Sequence, residues 1–258
     1  MRRFLRISVA LAGGLTAASA TIMAVLPGAA SAATLTPAAA TAQGVAARPA
    51  APAYTPARRT LSVGMSGNDV KALQARLTQL KYFPGAVDGQ FSSNTLEAVW
   101  AFQEAQGLSA DGAVGPKTER ALVSPRAPAS RYPQGGSLRV EVNLTRRFLV
   151  LYQNNRVALV THVSAGGGYY YCSTNGCGHA ITPTGHYTAH SFIPGWVQVP
   201  LGEMYNPVFF IGSAYAIHGD TYVPLQPASH GCVRIPMDVA NFFHTMVNTH
   251  DTPVYIYY

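Results

Sequence analysis

From residue 60 onward the apolar positions fall into two successive rhythms. In "VKALQARLTQL", Val70, Leu73, Leu77 and Leu80 share one face of a 3.6-residue period, and Ser66 with Asp69 offers a capping box before them. "TLEAVWAFQEAQG" predicts a second helix with Leu96, Val99, Trp100 and Phe102 inward and Gly107 as C-cap. Pro116 opens a third, short one in "PKTERAL". Residues 60–123 therefore read as a small all-α three-helix domain. From Leu138 the rhythm shortens. "LRVEVNL" and "RRFLVLYQ" alternate, Asn154-Asn155 turns a hairpin, and "RVALVTHVSAG" returns. "HYTAHSF", "WVQVPLG", "NPVFFIG", "AYAIHG" and "PVYIYY" continue the strands. One helix interrupts them, opened by Pro236 and Asp238, with Val239, Phe242, Phe243 and Met246 on one face. Residues 138–258 are expected to form a mostly-β domain large enough for its own core. Residues 33–59, dominated by Ala, Pro and Thr, and residues 124–137 ("SPRAPASRYPQGGS") carry neither rhythm and read as linkers.

A repeat organises the helical stretch. Asp88-Gly89-Gln90-Phe91 recurs as Asp111-Gly112-Ala113-Val114, each an Asp-Gly turn feeding an apolar residue and a helix start.

Ahead of these domains, Arg2, Arg3 and Arg6 precede an apolar run from about Ile7 to Leu26, and Ala30-Ser31-Ala32 supplies a small-x-small cleavage site. Residues 1–32 thus have the charge, core and cut of a secretory signal peptide. A retained anchor is the competing reading, although the run is rich in Ala, Gly and Thr. Cleavage takes three arginines from the formal charge of +7 and leaves +4, a modest excess suited to an anionic extracellular matrix. No basic stripe points to nucleic acid, and no second run reaches a membrane span.

Export changes the meaning of the three cysteines. Cys172 and Cys177, in "YYYCSTNGCGH", are close enough to bridge locally in an oxidising compartment; zinc held by Cys172, Cys177 and His179 is the alternative. Cys232 in "ASHGCVRIP" remains unpaired. A thiol needs help to ionise at neutral pH, so a histidine partner is sought. His230 is two positions away on an extended chain and poorly placed to align its ring. His218, ending "AYAIHGD", is free to approach from a separate strand. Gly231 lets the backbone come close, so that the Cys232 amide and its neighbours could form an oxyanion hole. A buried structural thiol is the rival reading. The triple glycine at 166–168 has no helix after it and reads as a flexible loop.

These motifs carry two resemblances. "GMSGNDVKALQARL", "VDGQFSSNTLEAVWAFQ" and "DGAVGPKTERAL" resemble the peptidoglycan-binding module of bacterial wall enzymes, which implies wall association. "AIHGDTYVPLQPASHGCVRI", with "AITPTGHYT" and "MYNPVFFIG" upstream, resembles the signature of YkuD-type L,D-transpeptidases over residues 138–258. That likeness implies a β-sandwich-type catalytic domain with one helix. It makes Cys232 the nucleophile and His218 the base, with Ser229, His230 and Gly231 as an oxyanion and positioning shell. Arg234 would hold the site together or meet a substrate carboxylate. No acid obviously orients His218; Gly219 follows it, so a backbone carbonyl is the expected orienter rather than Asp220. The implied activity is an exported transferase that forms 3→3 peptidoglycan cross-links from donor and acceptor stem peptides, needs no metal or other cofactor, and is inhibited by carbapenem-type β-lactams. An L,D-carboxypeptidase and a non-catalytic wall-binding protein are the alternatives. The sequence departs from the signature in a ten-residue gap between His218 and Ser229 and in Pro236-Met237-Asp238, which lacks the asparagine often seen there.

Overall fold

A computed structural model describes residues 54–174 and 176–258; the expected signal segment and most of the first linker lie outside them. Three helices come first: α1 (Asn68–Gln79), α2 (Ser93–Gln106) and α3 (Pro116–Val123). The capping box expected at α1 does not form. Gly67, at φ 140°, is the N-cap and no side chain caps it. Asp69 instead binds Arg59 through Nε at 2.8 Å, while Ser66 pairs with Gln90 in an isolated bridge. At the far end of α2, Gly107 takes the left-handed conformation (φ 71°) that closes a helix without a Cβ clash.

The sequence repeat has a physical cause that the sequence alone did not disclose. The Gln74 side chain donates to Asp88 Oδ1, the Gln90 carbonyl and Thr95 Oγ1, and accepts from the Gly89 amide. Gln103 does the same to Asp111, Ala113, Thr118 and Gly112. Each buried amide thereby satisfies one Asp-Gly turn, since an unpaired polar group in a core is costly.

The strand region contains β1 (Arg139–Asn143), β2 (Phe148–Gln153), β3 (Arg156–His162), β4 (Tyr170–Ser173), β5 (Gly176–His179), β6 (Gly185–Ala189), β7 (Ser191–Phe192), β8 (Trp196–Val199), β9 (Gly202–Ile211), β10 (Tyr215–Asp220), β11 (Val233–Pro236), α4 (Met237–Met246) and β12 (Thr252–Tyr257). One sheet runs β3-β2-β1-β12-β6. The other runs β11-β10-β9-β7, with β8 hydrogen-bonded to β9, and β4-β5 is a separate hairpin. Val140, Leu149, Leu151, Val254 and Ile256 from the first sheet meet Val208, Phe210, Ile217, Val233 and Ile235 from the second, with Phe243 of α4 in the same cluster. Asn154 and Asn155, both at positive φ, turn β2 into β3. At α4, Pro236 is the N-cap rather than the first helical residue, and Ala240 joins Val239 and Phe243 as its buried residues, with Phe242 and Met246 only partly covered.

β2 does not alternate as expected, because both of its faces are covered. Leu149 and Leu151 point into the sandwich; Phe148, Val150 and Tyr152, with Val160 of β3, join the core of the helical region around Phe91, Val99 and Phe102. Apolar runs are the mark of strands buried on both sides. α2 is correspondingly enclosed: Glu97, Gln103 and Glu104 are buried, whereas Leu96 and Trp100, expected inside, are only partly so.

Residues 124–137 are tied down as well. Arg139 and Glu141 on β1 are 2 % and 1 % exposed and form a 2.9 Å ion pair. Their remaining capacity goes to Ser130, the Arg131 amide, the Gly136 carbonyl and Asn155, and Arg139 lies 4.0 Å over the Tyr152 ring. A buried pair persists only when its lone pairs and protons are all met, and the connecting segment meets them.

Candidate active site

Strand alternation places the chemistry. Ile217 on β10 and Val233 and Ile235 on β11 face the sandwich core. Their neighbours Ala216, His218, Cys232 and Arg234 therefore project from the other face of the sheet. β10 and β11 are parallel, with Ile217 opposite Val233 and His218 opposite Arg234, so Cys232 enters just ahead of the paired stretch. Gly219, on the core side, is the place where α4 packs: a Cβ there would come 2.7 Å from Ala240 Cβ.

His218 and Cys232 line one cavity of about 420 Å³. Its other walls are Tyr171, Ser173 and Cys177 from the β4-β5 hairpin, Val199 to Met204 where β8 turns into β9, and Ser213 to Tyr215 where β9 turns into β10. His218 is 3 % exposed, and its Nδ1 lies 2.9 Å from the Gly219 carbonyl oxygen. A carbonyl only accepts, so Nδ1 carries the proton and Nε2 keeps the lone pair of a base. Burial holds the His218 imidazole below its ordinary pKa; the Gly219 hydrogen bond opposes this, and the Arg234 charge reinforces it. Burial pushes the Cys232 thiol up, while the Ala216 backbone hydrogen bond and the Arg234 charge pull it back. The opposed shifts leave the proton on sulfur and the imidazole neutral at rest. Cys232 Sγ also lies 3.9 Å from Met204 Sδ and 3.7 Å from the Ala214 carbonyl oxygen.

The motif around the cysteine is held by backbone bonds. Ser229 Oγ donates to the Cys232 carbonyl at 2.5 Å and accepts the Gly231 amide at 3.0 Å. Ser229 and Gly231 therefore shape the turn, and the Gly231 amide is already engaged rather than free for an oxyanion. Thr182 Oγ1 donates to the Gly231 carbonyl and accepts the Gly166 amide, a link that only "AITPTGHYT" hinted at. The triple glycine is not a loose loop at this point. A Cβ on Gly166 would lie 2.5 Å from the Ala180 carbonyl oxygen, and the Gly167 amide donates to Ser229. His230 turns to the hairpin, its ring edge-on to Tyr171 (4.8 Å) and Tyr169 (5.5 Å). Arg234 Nε lies 3.2 Å from Asp220 Oδ2, an ion pair without hydrogen-bond alignment. Asp220 thus pairs with Arg234, while the hydrogen bond that orients His218 is made to the Gly219 carbonyl. Cys172 and Cys177 are joined by a disulfide, so neither is available to zinc, and no cluster among the described residues is suited to a metal. The hairpin's tyrosines were missed in the sequence, where no strand signal marks them.

Two family models match. Residues 66–122 match a putative peptidoglycan binding domain, and residues 137–256 match the L,D-transpeptidase catalytic domain YkuD. A crystal structure of the L,D-transpeptidase (residues 123–326) from Xylanimonas cellulosilytica DSM 15894 is 35 % identical, with a TM-score of 0.73 over 79 % of this chain and 100 % of that one. Among curated proteins, the N-acetylmuramoyl-L-alanine amidase CwlM of Mycobacterium tuberculosis (strain ATCC 25618 / H37Rv) is 48 % identical over 56 residues, 22 % of this chain and 14 % of its own. The zinc D-Ala-D-Ala carboxypeptidase of Streptomyces albus G is 48 % identical over 64 residues, 23 % of this chain and 24 % of its own. The chain thus spans less than a quarter of the length of these two curated relatives.

Proposed function

Because the chain belongs to the L,D-transpeptidase family, we propose that it is an exported, wall-associated acyltransferase that forms 3→3 peptidoglycan cross-links through a thioester on Cys232. The observation that carries this reading is the pairing of β10 with β11, which brings a base with a fixed tautomer and a lone thiol to one cavity.

As His218 Nε2 takes its proton, Cys232 Sγ attacks the carbonyl of the third residue of a tetrapeptide stem. The Cys232 amide faces the developing oxyanion. The tetrahedral adduct collapses, the C–N bond to D-Ala breaks, and the departing amine takes the proton from His218. A side-chain amine of a second stem then attacks the thioester, passes its proton to His218, and expels the thiolate, which recovers the proton. Arg234 binds a stem carboxylate. A β-lactam carbonyl, carbapenems included, acylates the same sulfur. The helical region, by its likeness to wall-binding domains, associates with peptidoglycan.

Purified tetrapeptide stems, with and without an amine acceptor, test the reaction. The expected outcome is D-Ala release together with a dimer, and a mass adduct of a carbapenem on Cys232; Cys232→Ala abolishes all three. D-Ala release without dimer would make the protein a carboxypeptidase. Loss of neither adduct nor turnover in Cys232→Ala would remove the thiol mechanism altogether.

A further inference from the structure

One face of α2 packs against β3 and the connection that follows β10 rather than facing solvent. Glu97, Trp100 and Glu104 stand at i, i+3 and i+7, one stripe of a helix. Glu97 Oε1 accepts the amide of buried Val223 at 3.3 Å. The Trp100 ring lies edge-on to the His162 ring at 5.4 Å. Glu104 meets His162 Nδ1 at 3.2 Å and Arg147 Nε at 3.1 Å, and His162 Nε2 donates to the Pro224 carbonyl at 3.1 Å.

Two of these contacts reach residues 221–228, the connection that joins the His218 strand to the Cys232 motif: Glu97 holds the Val223 amide directly, and His162, itself held by Glu104 and Trp100, binds the Pro224 carbonyl. β3 and its extension hold the rest of it. Ser164 Oγ donates to the Gln226 carbonyl and accepts the Ala228 amide, and Ser229 exchanges backbone bonds with Ala165 and Gly167. The connection is short, and its first half has α2 as an outer wall.

We infer that Glu97 is a positioning residue for the Cys232–His218 pair, acting through Val223, so that the helical region braces the connection between the two catalytic strands from behind, besides any part it has in binding peptidoglycan. The inference rests on the thiol–imidazole assignment above. His162 from β3, Asp220 from β10 and Asp238 from α4 face the same carboxylate, and Asp238 is itself bonded to Asn94 of α2. Burial pushes the Glu97 carboxyl up to about 7, with the Val223 amide and His162 opposing and Asp238 and Asp220 adding. The native state therefore holds a proton that the unfolded chain releases between about pH 4.5 and 7, and stability falls as pH rises through that window. The substitution Glu97→Gln would keep the acceptor oxygen but remove the titration.

The test is the rate at which iodoacetamide alkylates Cys232 in the full chain from pH 5 to 9, with His218-dependent behaviour as reference. It needs no stem peptide, so a failure of transpeptidation and a failure of this inference are separately visible. Glu97→Ala is expected to change the alkylation rate at pH 7 by about fivefold, the scale of one lost buried hydrogen bond. Glu97→Gln is expected to restore the rate and to flatten the inflection near pH 7. Wild-type rate and profile in folded Glu97→Ala would overturn the inference. If that variant does not fold, a Glu97→Gln profile superimposable on wild type would overturn it equally.

Discussion

Along β10, the four residues from Ala216 to Gly219 are all buried, whereas along β4 and β8 every second residue stands in solvent. Both regions line the same cavity. The inner strands are packed under α4 and against the sandwich core, so His218 and Cys232 inherit positions set by many contacts. The hairpins have no such backing. β4-β5 is a two-stranded ribbon closed by a disulfide, and its link to the motif runs through Tyr171 against His230. An isolated two-stranded ribbon is marginal in water, which gives the crosslink a clear physical role. On the reading proposed above, reaction geometry belongs to the buried side and contact with the stem peptides to the exposed one.

The sharpest break on the inner side is His218→Ala. Loss of a positioned general base is expected to lower kcat by roughly 10²–10⁴-fold. In the wild type, the acid limb of kcat/KM should lie below the usual histidine value of about 6.5, because burial holds the His218 pKa down and the base works only when neutral. That limb should vanish in the variant; a pH–rate profile unchanged by the substitution would transfer the base to another group. Next comes Gly231→Ala. Gly231 has φ 145°, and a Cβ there would lie 2.6 Å from Tyr215 Cε1 and 2.8 Å from the Ile181 carbonyl oxygen. One side can yield only by moving backbone. Displacement of the cysteine turn by a fraction of an ångström to an ångström is expected to cost up to about 10²-fold in kcat with the fold retained by circular dichroism. The outer side should yield least. Cys172→Ser with Cys177→Ser removes a short-loop crosslink, with a stability cost of about 2 kcal/mol or less by thermal melting. Its effect should appear in KM for the stem more than in kcat. A large kcat loss there would mean that the hairpin takes part in the chemistry.

The same contrast explains what could be read from the sequence. The three N-terminal helices, the Asn154-Asn155 hairpin and most strands announced themselves through period and turn residues, and the mostly-β fold with its helical companion followed. His218 and Cys232 stand out because an expected oxidising compartment pairs two of the three cysteines and leaves one thiol over, and because strands bring distant residues together. β4 and β5 escaped because an exposed ribbon has no buried face to impose alternation on "YYCS" and "GCGH". Glu97 and Glu104 escaped for the opposite reason. Charged residues on a helix are ordinarily solvated, and nothing local in "TLEAVWAFQEAQG" tells that His162 and Val223, more than fifty residues away, will cover them. The roles of Ser229 and Gly231 depended on where one amide proton goes, which backbone geometry decides.

The double coverage of β2 also bears on how such a chain can be taken apart. A catalytic fragment beginning after the connecting residues would keep Leu149 and Leu151 sheltered but bare Phe148, Val150, Tyr152 and Val160 as one continuous greasy stripe, and would strip the Arg139–Glu141 pair of Ser130 and Arg131. Such a stripe invites self-association. The two sequence modules are therefore poor candidates for shuffling as independent cassettes: any exchange of the helical part must bring a partner surface cut to fit the back of β2.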